Sequence, residues 1–245
     1  MRKIVILGII LAVISSGCTI FQDDESKKYY DLAKDCEKYD RFQSALIYYD
    51  KAIESAPNDE NLYYQKGRLL QDEFEDYNAA IKCYQQGIEI NPNDVKFYRS
   101  MGCSYGWLRD YSNALECYNK ALELDDTKLG TWISKGYTLK NLGRNEEALE
   151  CFDYVINQDP EYENGWLAKA GFYKDTGDYE KALMYYNEAL KINPDNYHTL
   201  SWMAQIYEEL EWYPEAIECY EKYLELRPGS SYETRKIAEL TEKSS

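Results

Sequence analysis

The sequence predicts an all-α solenoid of helix-turn-helix units, and three observations point to it. First, a pattern recurs about every 34 residues: a Tyr or Trp, a small residue four places on, then an Ala, an aromatic and a Pro. Its starts fall at Ser26, Glu60, Val95, Leu129, Glu163, Tyr197 and Ser231; five of the six intervals are 34 residues and the second is 35. Second, apolar residues inside each period are spaced by three and four, which marks two amphipathic helices per unit. Third, five of the six prolines (Pro57, Pro92, Pro160, Pro194, Pro228) stand where the second helix must stop, because Pro lacks the N–H and clashes with a continuing helix. Stacked units of this kind share a continuous core instead of dividing into globules.

The first element, residues 1–17, is a targeting segment. Arg2 and Lys3 precede the apolar run Ile4 to Ile14, followed by Ser15-Ser16-Gly17-Cys18. A charged start, a short apolar stretch and small residues describe a secretory signal. The small residues ending on Cys resemble the lipobox of prokaryotic lipoproteins, in which cleavage before the Cys leaves it lipidated, although Ser15 stands where Leu is usual. The other reading is an uncleaved anchor, since Ile4 to Phe21 is marginally long enough to span a bilayer. Both leave Arg2 and Lys3 on the cytoplasmic side and the repeats outside. Residues 18–25 then form a lipidated Cys18 and a tether; Thr19 to Glu25 reaches only about 25 Å when extended. The expected location is the cell envelope, extracytoplasmic and membrane-anchored.

Six units follow: 26–59, 60–94, 95–128, 129–162, 163–196 and 197–230. The fourth shows the pattern well, with Trp132 and Gly136 on its first helix, Ala148 and Phe152 on its second, and Pro160 closing it. Gly or Ala at the eighth place and Ala at the twentieth allow close helix approach, since a larger side chain would overfill the contact. The aromatics fill the space between layers. Pro214 falls in the first turn of a helix, where it is tolerated. The second unit carries one extra residue near Gln71 to Asp76, which predicts a locally bulged turn. Residues 231–245 hold one helix with Ile237, Ala238 and Leu240 apolar, a cap for the last hydrophobic face.

The places just described resemble the W-x2-L-G-x2-Y…A-x3-F…P pattern of the tetratricopeptide repeat, and the resemblance runs from residue 26 to 245. It implies a right-handed superhelix whose concave face, lined mainly by the first helix of each unit, binds a protein or peptide. It also implies which places face inward: 2, 5, 9, 12 and 13. Carried onto this chain, they include Lys27, Tyr30, Lys34, Glu37 and Lys38, then Tyr64, Arg68, Gln71 and Asp72. They continue with Lys96, Arg99, Cys103, Gly106 and Trp107, then Tyr137 and Lys140. The family's chaperone-binding members carry Lys at place 5; here that place holds Tyr30, Tyr64, Arg99, Ile133, Leu167 and Ser201, so that clamp is absent. The layout is similar in plan to pilotins and assembly lipoproteins of bacterial envelopes.

Composition narrows the function. Formal net charge is −16, with 44 acidic against 28 basic residues, which argues against nucleic acid as partner. Beyond Cys18, the six cysteines show neither zinc spacing nor a CxxC pair. Four of them share one place in the second helix, too far apart in adjacent layers for disulfides. They read as small buried thiols. His198 is the only histidine, and no nucleophile, metal-protease or phosphate-loop motif occurs. No catalytic site, metal or cofactor is therefore expected, and an enzyme stays a distant alternative.

What the period does not explain is a bias on the inner places. In the first four units they carry Lys27, Lys34, Lys38, Arg68, Lys96, Arg99 and Lys140 against Glu37 and Asp72. A concave wall of one sign attracts the other. Tyr30, Tyr64, Trp107 and Tyr137 interleave with these bases and suit binding hot spots. The expected ligand is an acidic, extended protein segment; glycan binding through the aromatics is the rival. Against both stands the possibility that the bases pair with neighbouring acids and the rings serve only packing.

Overall fold

A computed structural model describes residues 24–244. The expected signal segment, Cys18 and most of the tether lie outside the described residues. The described chain is helical with no strand, and it divides into two compact units between Asp126 and Thr127.

The first unit holds α1 (24–38), α2 (Phe42–Ser55), α3 (Glu60–Phe74), α4 (Tyr77–Ile90), α5 (Val95–Trp107) and α6 (Tyr111–Leu124). The second holds α7 (Leu129–Asn141), α8 (Asn145–Gln158), α9 (Glu163–Asp175), α10 (Tyr179–Ile192), α11 (Tyr197–Glu209), α12 (Tyr213–Leu226) and α13 (Ser231–Lys243). Each odd helix from α3 to α11 pairs with the even helix after it, and each such pair is one period of the sequence. Within the first unit α3 and α5 also touch, and within the second α7 and α9 do; no comparable contact joins the even helices. The odd helices thus form the tighter, inner layer of each unit.

Six helices start at a side-chain cap. Asp59, Asp76, Asp94, Asp110, Asp178 and Asn196 each accept a backbone N–H of the first turn, satisfying a donor that would otherwise lack a partner. The turn inside each period passes through one left-handed residue: Asp40, Glu75, Arg109, Gly143, Gly177 and Glu211. Only two of these six are glycine, so the others hold a conformation that costs an L residue about 1–2 kcal/mol.

Packing follows the small places. A Cβ added to Gly136 would lie 2.4 Å from the Phe152 ring, which is why α7 and α8 can approach so closely. Ala33, Cys36, Ala45 and Tyr49 form the core between α1 and α2. At the other end, Leu240 of α13 is buried in the same cluster as Ala216, Cys219 and Tyr220, so α13 does cap the last pair. The six described cysteines are unpaired, and all but Cys103 are buried.

Two local differences from the sequence reading appear. The extra residue of the second period does not bulge the turn. It lengthens α3 to 15 residues against 13 in α5, and Glu75 then takes the left-handed place. Leu70 and Phe74 continue the apolar spacing of four and both join the core beside α4, so the longer helix is accommodated. In addition, residues 24 and 25, placed in the tether, are already helical. No described helix is long and apolar enough to cross a membrane.

Candidate binding groove

The inner faces of α1, α3 and α5 carry the first three periods' candidate residues, and the structure sorts them into two groups. Glu37 is the centre of the first. It accepts the Tyr49 hydroxyl from the floor and lies 2.9 Å from Lys34 Nζ and 2.8 Å from Arg68 Nη2. Arg68 also lies 3.2 Å from Asp72. Partial burial pushes the Glu37 carboxyl up, but the Tyr49 hydroxyl, Lys34 and Arg68 outweigh it and hold it below its ordinary value. Burial, reinforced by Glu37, drives the Tyr49 hydroxyl well above the ordinary phenol range, so it stays a donor. Lys96 pairs with Asp94 at 2.7 Å and sits over the rings of Tyr64 and Phe97 at 5.3 and 5.1 Å. Lys34, Arg68 and Lys96 are therefore already engaged.

The second group is free of acids. Lys27 and Arg99 are exposed, and among the described residues neither has a carboxylate within ion-pair distance. Among the described residues Lys38 makes a cation–π contact, with Tyr39 at 5.5 Å, and no ion pair. In this unit the six inner bases face Glu37, Asp72 and Asp94, so the face keeps a positive surplus in a chain of net charge −16.

The aromatics are partly structural. Tyr30 meets Tyr49 edge-on at 6.2 Å, and Tyr64 packs against Tyr84 and Phe97 at 6.1 and 5.8 Å. Both are half-buried. Trp107 ends α5, stacks on Tyr77 at 5.9 Å, and is the most exposed large apolar side chain, at 69%.

In the second unit Tyr137 is half-buried against Phe152 at 5.3 Å. Burial and the nearby Asp175 raise its hydroxyl to about 12. Lys140 forms an ion pair with Asp175 and lies 5.7 Å from the Tyr137 ring centre. The positive surplus therefore does not extend to this unit's Lys140.

The floor supplies polar atoms that the sequence reading assigned to packing alone. Tyr84 donates to Gln71 Oε1 at 3.4 Å, Tyr118 to Cys103 Sγ at 3.3 Å, and Tyr220 to Glu208 Oε1 at 2.5 Å. Ser104 donates to the same Gln71 oxygen at 2.8 Å, joining α5 to α3. Gln71 thus occupies the place that Glu37 and Glu208 hold in their own periods. The signal was present: five of the six periods place Tyr, not Phe, before the second helix's last turns. Lys236 of α13 reaches Glu208 at 2.6 Å, so the cap also closes one inner acid. Every carboxyl whose titration is displaced (Glu37, Glu147, Asp178) is displaced downward, the opposite of a general acid held protonated.

Comparisons with known proteins come back to the repeat. Models described as tetratricopeptide repeats match residues 75–106, 95–128, 129–162 and 162–229. No curated protein matches the sequence. Among solved structures, PilF of Pseudomonas aeruginosa aligns at 16% identity and TM-score 0.64, over 91% of this chain and 99% of that one. MamA of Desulfovibrio magneticus aligns at 17% identity and TM-score 0.63, over 71% and 97%. YrrB, described as a repeat protein with an unusual peptide-binding site, aligns at 18% identity and TM-score 0.51, over 76% and 96%. At such identities the likeness is one of fold.

Proposed function

Because this chain belongs to the tetratricopeptide repeat family, we propose that it is a protein-interaction scaffold holding an acidic, extended protein segment on the inner face of its first unit. A scaffold role follows from the family, whose fold serves protein–protein contact. The observation that carries the finer reading is the surplus of cations, with Lys27 and Arg99 exposed and without a carboxylate partner among the described residues of a strongly acidic protein. Half-exposed rings of Tyr30 and Tyr64 beside them supply flat apolar contact. Arg68 and Lys34 are held in reserve by Glu37, so a ligand carboxylate would compete with an internal one.

The same proposal places the scaffold outside the cytoplasm, tethered through Cys18. The lipobox-like Ser15-Ser16-Gly17-Cys18 supports that location.

The test is fluorescence anisotropy with two probes, an Asp/Glu-rich peptide and a neutral oligosaccharide. The proposal expects peptide binding that weakens about tenfold or more as salt rises from low to physiological, as exposed charge pairs do. Salt-insensitive oligosaccharide binding that is lost on Tyr64→Ala would replace it with the glycan reading.

A further inference from the structure

Away from the inner face, the two helices of a period form a second groove, and the chain shows what belongs in it. In the fifth period the groove walls are Trp166 and Tyr173, and Tyr185 of α10 fills the space between them. Its ring lies 6.2 Å from Trp166 and 5.5 Å from Tyr173, nearly parallel to the latter at 13°. In the first period Tyr48 fills the equivalent place, stacked on Tyr29 at 6.4 Å. In the fourth, Tyr154 covers Trp132 from one turn further along, at 4.3 Å.

The third period has the walls without the filling. Tyr98 and Tyr105 stand where Trp166 and Tyr173 stand, but the residue equivalent to Tyr185 is Cys117. Neither wall has a ring neighbour among the described residues. The result is an open cleft of about 460 Å³ between α5 and α6, floored by Met101 and Cys117. Tyr98 is held upright by donating its hydroxyl to the Pro92 carbonyl at 3.0 Å. No other period has this vacancy: the second replaces one wall with Leu70, and in the sixth Tyr207 is stacked on Trp212 at 6.0 Å.

The rim gives the sign of the occupant. Lys120 is paired with Glu123 at 2.9 Å, while Glu116 is exposed and has no cation within ion-pair distance among the described residues. The cleft therefore offers two aromatic walls and a net negative edge. The filled fifth-period groove carries its own cation, Lys169, 4.6 Å from the Tyr185 ring centre. We propose that the cleft between Tyr98 and Tyr105 docks an aromatic side chain flanked by Lys or Arg on an extended segment of a partner protein. This site is separate from the inner face and opposite to it in charge preference.

The test uses fluorescein-labelled Gly-Arg-Trp-Lys-Gly, its Ala-for-Trp analogue and Gly-Glu-Trp-Glu-Gly, titrated by anisotropy against the whole chain. The proposal expects the Arg-Trp-Lys probe to bind at least tenfold more tightly than either analogue. Cys117→Tyr, which supplies the missing ring from within, should weaken that probe at least tenfold with helicity unchanged, whereas Cys117→Ser keeps the cleft and the binding. Should Cys117→Tyr fail to fold, Tyr98→Ala removes a wall and must give the same loss. Glu116→Lys should weaken the probe several-fold and Arg99→Glu should not. Equal binding by Cys117→Tyr and the wild type overturns the proposal, as does equal binding of the Ala analogue. Binding that Arg99→Glu strengthens while Cys117→Tyr leaves it unchanged moves the probe to the inner face and also overturns it. Self-association abolished by Cys117→Tyr makes a second copy the occupant and refutes the partner segment.

Discussion

Replacing Glu37 with Gln is the most informative perturbation of the inner face, because one carboxylate there holds three groups. It accepts the Tyr49 hydroxyl and lies 2.9 Å from Lys34 and 2.8 Å from Arg68. At such separations and an effective dielectric of ~20, each ion pair is worth about 6 kcal/mol before desolvation. Most of that is offset by taking the charges from water. Lys34 and Arg68 keep 39% and 36% of their side-chain exposure, which moves the pairs toward the surface value of about 0.2–1 kcal/mol. Glu37 itself is only 14% exposed, and hydrogen bonds to charged groups contribute about 1.5–3 kcal/mol. A net loss of about 1–2 kcal/mol is expected for Glu37→Gln, read by urea unfolding at pH 7. A cycle with Tyr49→Phe should give a coupling of about 0.5–1.5 kcal/mol. The pH dependence has a definite sign. The Glu37 carboxyl is held below its ordinary 4.5 in the folded state, so its contribution is complete above that value and is lost as pH falls through the folded pKa. Glu37→Gln should lack that part of the acid limb. The variant also releases Lys34 and Arg68, so it should bind an acidic peptide more tightly while being less stable. A variant within roughly 0.3 kcal/mol of wild type, the limit of additivity, with an unchanged acid limb would mean that Glu37 does not tie these groups together.

Other consequences follow from the fold. Gly136→Ala sets a Cβ 2.4 Å from the Phe152 ring and should cost about 1–3 kcal/mol in denaturant unfolding. Arg109→Gly relieves a left-handed residue at φ 58° and should gain about 0.5–1 kcal/mol by the same measurement. Cys18→Ser should abolish metabolic labelling by palmitate and release the chain from membranes; continued membrane residence would favour the uncleaved anchor. In that variant, iodoacetamide at pH 8 should modify Cys103 first. Burial raises the Cys117 thiol to about 12, with Glu116 and Asp110 adding to it, and raises Cys151 and Cys219 to about 11. These thiols should react only on unfolding.

The period made most of the fold legible, since each place in it has one packing task. Gly136 against Phe152, Pro57 after α2 and Leu240 in the cap all stand where the repeat puts them. Spacing allows the second period's extra residue equally in a turn and in a longer helix; Glu75 accepting a left-handed conformation decides between them. The inner face was legible as a set of places but not as a set of charges. Arg68 meets Glu37 across 31 residues and Lys140 meets Asp175 across 35, contacts between neighbouring periods that depend on rotamers as well as register. The cleft at Tyr98 is hidden in the sequence for a different reason. Cys117 shares its place with three other cysteines, and it is Tyr48 in the first period and Tyr185 in the fifth that show a ring to be missing.

The proposed function turns on the inner-face cations of the first unit that have no carboxylate partner among the described residues binding an acidic segment. Charge reversal at Arg99 is the sharpest test, because that exposed residue has no acidic partner among the described residues. With an Asp/Glu-rich peptide titrated by anisotropy at low salt, Arg99→Glu should weaken binding at least tenfold while unfolding in urea is unchanged. Equal affinity for Arg99→Glu and the wild type would contradict the account.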